Sequence, residues 1–254
     1  MNLPISKRLL ACCKWIRPGD RVADIGCDHG YLGIYLLLHG IASTVIAADI
    51  NPQPLDSALK NAHKYSTADR MTFYLSNGVQ NIPRDFDVLV CAGMGADTMI
   101  SILTAATWLR APNYRLILQC QSKTHELRQH LSHHGWHISR ESVLRDGRFL
   151  YTVMEVVYEP GHIFTPGQCY LSPALIASDS IELSAYYQST VKKLRISIQG
   201  KGALADNTEI TALKELEQLC IDPLDSNQKG EPNDNCIRYF AIFTHISTGI
   251  YESR

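Results

Sequence analysis

Val22-Ala-Asp-Ile-Gly-Cys-Asp-His-Gly-Tyr-Leu-Gly33 is the stretch from which the fold can be read. Residues 21–25 have the composition of a buried strand, Gly26 breaks it, and residues 31–38 are apolar enough for a packed helix. Strand, glycine turn and helix form the opening unit of a nucleotide-binding α/β fold. The glycines let backbone approach a ligand closely, and the helix N-terminus offers unpaired N–H groups. A second strand, residues 43–48, runs into Asp49. Asp49 lies about 20 residues beyond Gly30, where such folds set a carboxylate against the hydroxyls of an adenosine ribose. Gly26, Gly30, Asp49 and the adjoining Ile50 are therefore expected to hold an adenosine cofactor.

The charges in the turn choose among such cofactors. A pyrophosphate needs bare backbone N–H groups, yet the turn here reads Asp24-x-Gly26-x-Asp28-x-Gly30. Asp28 would set a like charge against a diphosphate, which disfavours an NAD-linked oxidoreductase. S-adenosyl-L-methionine has no phosphate and carries a sulfonium and an ammonium group, a match in sign for Asp24 and Asp28.

The remaining periodicities fit the same architecture. Helices are expected over residues 6–16, 55–65, 96–109 and 125–134, and strands over residues 71–75, 87–92 and 115–119. Residues 136–144 and 149–158 read as an antiparallel pair. The expected whole is a seven-stranded, mostly parallel sheet with a reversed edge and helices on both faces. Gly93-Met-Gly95 ends the fourth strand, leaving room for a flat ring beside one apolar wall, while Asp97 reads as a helix-stabilising acid. Lys7, Arg8 and Lys14, with Arg17 and Arg21 beyond, make either a solvated face or an RNA phosphate track. After Pro160-Gly161 and Pro166-Gly167 the composition changes. Residues 181–199 and 207–220 then carry apolar residues at helical spacing and read as an antiparallel helical hairpin, a local coiled coil. Lys192, Lys193, Arg195 and Lys201 cluster on and beyond its first arm, another candidate RNA contact. The expected division is a Rossmann-like catalytic part at 1–160, a hairpin at 161–222, and a linker and tail at 223–254, with β character over 236–246.

Asp-x-Gly-x-x-x-Gly with an acidic residue after the second strand resembles the first motifs of class I S-adenosylmethionine methyltransferases. Leu3-Pro-Ile-Ser-Lys-Arg-Leu9, Gly26-Cys-Asp-His29, Asn77-Gly78, Ala92-Gly-Met-Gly95, Leu116-Ile-Leu-Gln119 and Tyr170-Leu-Ser-Pro-Ala-Leu175 are similar to the bacterial tRNA adenine-22 N1-methyltransferases. Three places depart from that pattern. Ala96 stands for a usual glycine, Cys120-Gln121 for a Pro-Asn pair, and Ser172 for a common glycine. The resemblance implies a tRNA substrate, with Asn77, Gly78 and Gly93 on the cofactor side and Lys7, Arg8, Tyr31, Met94 and Gly95 on the substrate side. Adenine N1 has its own lone pair, so no general base is required. Negative charge beside the ring helps as positive charge migrates from sulfur to base. Asp28 is the first candidate for that role and His29 the second. A related enzyme acting on another RNA, a protein or a small molecule, and a silent RNA-binding module, are the competing readings.

The 254 residues carry a formal charge of −1, so RNA contact must use local patches. No apolar run is long enough for a membrane helix, and residues 1–16 lack a signal-peptide core. The eight cysteines include no Cys-x-x-Cys pair and are expected as reduced, buried thiols of a cytoplasmic, monomeric protein. His133, His134 and His137 straddle a helix end and turn, with no carboxylate or cysteine evident in the sequence to complete a set, so no metal is expected.

Overall fold

The computed structural model describes residues 3–219. The 223–254 segment, with its expected β character, lies outside them. Seven strands form one sheet: β1 (Arg21–Ile25), β2 (Thr44–Asp49), β3 (Met71–Leu75), β4 (Val88–Gly95), β5 (Arg115–Ser122), β6 (Trp136–Asp146) and β7 (Phe149–Tyr158), in the order β3-β2-β1-β4-β5-β7-β6. All neighbours are parallel except β7, which runs antiparallel to both β5 and β6. The reversed strand is thus one in from the edge, and edge strand β6 points with the parallel set. The chain lays β2 and β3 to one side of β1, then crosses back to place β4 on the other. That reversal opens a crevice beyond the carboxyl ends of β1 and β4, where open α/β sheets bind ligands.

Two apolar layers cover the sheet. One joins α1 (Lys7–Cys13), α2 (Tyr31–Leu38) and α3 (Pro52–Lys64); the other joins α4 (Ala96–Ala105) and α5 (Thr124–His133). Ser6 caps α1 by accepting from Leu9 N, and both Cys12 and Cys13 face the core, which accounts for the adjacent pair. The helix stops short of the expected residue 16 because its last N–H groups switch to shorter bonds, Trp15 to Cys12 and Ile16 to Cys13. On α2, Gly33 allows close packing, since a Cβ there would stand 2.8 Å from Val45 Cγ1. No helix among the described residues is long and apolar enough to cross a membrane.

Past β7 the chain forms α6 (Pro166–Tyr170), α7 (Pro173–Ile176), α8 (Leu183–Lys201) and α9 (Asn207–Glu217). Leu175, Val191, Leu194, Ala212 and Leu216 bury themselves against Val143 of β6. α8 and α9 lie antiparallel. Tyr187 near the start of α8 donates to the Leu216 and Leu219 carbonyls, while Lys201 at its end meets Glu209 at 2.7 Å. A fully buried ion pair joins this layer to the sheet. Arg128 of α5 meets Glu141 of β6 at 2.7 Å, both side chains 0% exposed. The guanidinium also donates to the Cys169 and Tyr170 carbonyls and to Tyr186 Oη. Ser172 donates to Glu141 Oε2 at 2.5 Å and caps α7 through Leu175 N.

Candidate active site

The bend after β1 is built by three residues in left-handed backbone geometry: Gly26 (φ 73°), Asp28 (φ 51°) and Gly30 (φ 72°). Gly26 N and Cys27 N both donate to the Ala48 carbonyl, and Asp28 N donates to Asp49 Oδ2 at 3.2 Å. Asp49 Oδ1 accepts from Asn51 N, so each carboxylate oxygen is fixed by one backbone donor and keeps lone pairs for a ligand. The Asp49 side chain is buried, whereas Ile50 beside it is 59% exposed, an apolar surface left open at the end of β2.

Asp24 is the unusual group here. It is 3% exposed, and its Oδ2 is buried with no hydrogen-bond partner among the described residues. Burial, then the charges of Asp49 and Asp28, push its carboxyl up to about 7. An orphaned buried carboxyl oxygen ringed by two more acids calls for a cationic or hydrogen-bond-donating ligand and repels a phosphate. Asp28 and His29 stand at the rim, with side chains 71% and 51% exposed and 3.6 Å between Asp28 Oδ1 and His29 Nε2. Tyr31 begins α2, its ring 5.9 Å from that of His29.

Across the crevice, Gly93 (φ 82°) makes a bulge that carries β4 on through Gly95, beyond its expected end. Gly93 N donates to Gln119 Oε1 at 3.0 Å, and a Cβ at Gly26 would collide with the terminal carbon of Met94. The flexible end of Met94 can swing aside, so it is the left-handed backbone at Gly26 that calls for glycine. Gly95 lies against Ser122 and starts α4. Asn77 is exposed; the loop presenting Asn77 and Gly78 is set by buried Ser76, which donates to Gly78 O and accepts from Asn81 N. Ser76 and Gln119 were not singled out from the sequence. Ser76 follows β3 and Gln119 lies within β5, and only their burial reveals the role.

The expected basic track divides. Lys7 is exposed, but Arg8 is engaged within the protein. It donates to Gln119, pairs with Asp146 at 3.5 Å and lies over the Tyr151 ring. Arg21 begins β1 at the opposite end of the sheet and is bound by Asp85 and Asp87, so it leaves the track. Asp97 pairs with Lys123 at 3.2 Å, in keeping with a structural acid. On the hairpin, Arg195 and Lys201 are paired with Glu217 and Glu209. Lys193 instead lines a cleft of about 790 Å³ between the end of β5, the β6–β7 tip and α8. Arg148, His125 and the aromatic rings of Phe149, Tyr151, Tyr170 and Tyr186 line it too. His125 stacks on Tyr170 at 4.6 Å, the planes 6° apart.

A family model described as "Methyltransferase domain" matches residues 5–154. The tRNA (adenine(22)-N(1))-methyltransferase of Bacillus subtilis is 31% identical over 154 residues, 60% of this chain and 65% of that protein. A Mycoplasma pneumoniae relative is 32% identical over 176 residues, 66% of this chain and 79% of its own. With a Mycoplasma genitalium relative at 61%, the chain spans less than two thirds of the length of two of these relatives. The crystal structure of a Streptococcus pneumoniae protein in complex with S-adenosyl-L-methionine superposes with TM-score 0.73 at 29% identity, covering 84% of this chain and 99% of that one. That coverage runs past the sheet into the helical layer. On the match over residues 5–154, the chain belongs to the methyltransferase-domain family, and it is similar to bacterial tRNA methyltransferases through both the sheet and the helical layer.

Proposed function

We propose that this chain transfers a methyl group from S-adenosyl-L-methionine to N1 of adenine 22 in tRNA. The observation that carries the reading is Asp24 Oδ2, a buried carboxyl oxygen with no partner among the described residues, inside a ring of acids. A sulfonium and an ammonium group suit that ring, and the bound cofactor would supply an electrophilic methyl carbon. Asp49 would take the ribose hydroxyls, and Ile50, Asn77 and Gly78 the adenine. Gly26, Gly30 and Gly93 keep the crevice open, and Met94 and Gly95 form the wall for the target base. N1 lies on the Watson–Crick edge, so the base must leave its stack to reach that wall. Residues 1–160 act as the catalytic part, and 161–222 complete the RNA cleft. A single chain in the cytoplasm is taken as the working unit. Mass spectrometry of nucleosides from tRNA incubated with protein and cofactor tests the activity, and primer extension stopping at one adenine tests the position. Calorimetry showing NAD bound and S-adenosyl-L-methionine ignored would overturn the reading.

Asp28 stands where its negative charge can favour the cationic product ring. Asp28→Asn is expected to slow single-turnover transfer by about tenfold or more, with cofactor affinity measured separately. Unchanged rate and affinity would remove Asp28 from the mechanism. The cleft gives a second expectation. Lys193→Glu and Arg148→Glu should each weaken tRNA binding and lower the salt slope of log K by about 1, leaving cofactor affinity as it was. Filter binding across a salt series reads both.

A further inference from the structure

At the end of the sheet opposite the glycine bend, β6 begins and β7 finishes. There His137 of β6 meets Glu159 and His162, the first residues after β7. Glu159 Oε1 lies 3.6 Å from His162 Nε2, and the His137 and His162 rings are 4.1 Å apart between centroids. One ligand atom from each of the three residues falls within 4.8 Å of the others. Gly161, at φ 116°, turns the chain so that a Glu-x-x-His segment faces a histidine from the neighbouring strand. His137 Nδ1 is buried with no hydrogen-bond partner among the described residues. The sequence offered no carboxylate to His137, because both partners arrive from across the strand pair.

We propose that His137, Glu159 and His162 form a binding site for a divalent transition-metal ion, zinc fitting best. Two imidazoles and a carboxylate are a zinc donor set. Magnesium and calcium prefer all-oxygen shells. The Glu159 and His162 side chains are 61% and 44% exposed, so an ion can enter from solvent and keep a water as fourth ligand. The bound ion would pin the segment leading into α6 to the edge of the sheet.

Calorimetry with zinc chloride on the untagged, chelator-treated full chain tests this. One site of micromolar or tighter affinity is expected. His137→Ala, His162→Ala and Glu159→Gln should each weaken it by more than the roughly tenfold typical of changes in outer-shell partners. His130→Ala, which breaks the nearby stacked pair with His134, should leave it unchanged. Circular dichroism confirms that each variant is folded, and the exposed Glu159 position gives a readout that does not depend on the histidines. Absence of zinc binding, or binding that persists in the His137→Ala/His162→Ala double variant, would overturn the proposal.

Discussion

Asp24→Asn is expected to stabilise the ligand-free protein and abolish methyl transfer. The folded-state carboxyl sits at about 7 against an ordinary value of 3.8, so between those values the folded chain holds a proton that the unfolded chain has lost. Stability from this group therefore falls as pH rises from about 4 to 7. Above 7 the cost is complete, roughly 4 kcal/mol at about 1.4 kcal/mol per pH unit. Asparagine has the same shape and no charge to bury. The variant should melt higher than the parent at pH 8, by about 2–4 °C for each kcal/mol recovered, and the gap should close below pH 4. Thermal scans at pH 4, 6 and 8 read the trend. Cofactor affinity of the parent should weaken as pH falls below 7, where the carboxyl becomes neutral. A variant that binds S-adenosyl-L-methionine as the parent does would show that Asp24 faces no cation, and the electrostatic basis of the site would fall with it. Stability given up for a charged binding group is a common trade at functional sites.

Arg128→Ala should lose about 3–5 kcal/mol of stability, because it leaves Glu141 charged and buried with only Ser172 as partner. All five guanidinium N–H groups are used in the parent, on Glu141, two backbone carbonyls and Tyr186. The loss should be read as a lower urea midpoint. Arg128→Met combined with Glu141→Leu should recover most of it, since a buried ion pair replaced whole by apolar groups is often neutral. If the single variant is as stable as the parent, the pair does not join the layers as described.

Much of the sheet could be read from residue pattern, because parallel strands buried on both faces are short apolar runs. β1, β3 and β7 have the expected bounds, while β4 begins one residue late and runs on to Gly95 because Gly93 tolerates a bulge. The acidic glycine bend was legible for the same local reason. What depended on distant partners was not. Arg128, in Thr-His-Glu-Leu-Arg-Gln, reads like a solvated helix residue, and only the arrival of β6 and α6 buries it. Arg21 and Arg8 could be read only as a solvated face or an RNA track, because Asp85, Asp87, Asp146 and Gln119 reach them from distant parts of the chain. Charge along a chain shows that a partner is needed, and the fold decides which one.

The six described cysteines are all buried, and five of them have thiols pushed up by burial above all else to values where thiolate is scarce; Cys120 moves the same way. Maleimide and alkylating reagents react through thiolate and so find little among them. With Cys220 and Cys236 replaced, a cysteine introduced at Ser189 on the cleft wall could carry a fluorophore that reports RNA docking, with the glycine bend left chemically untouched.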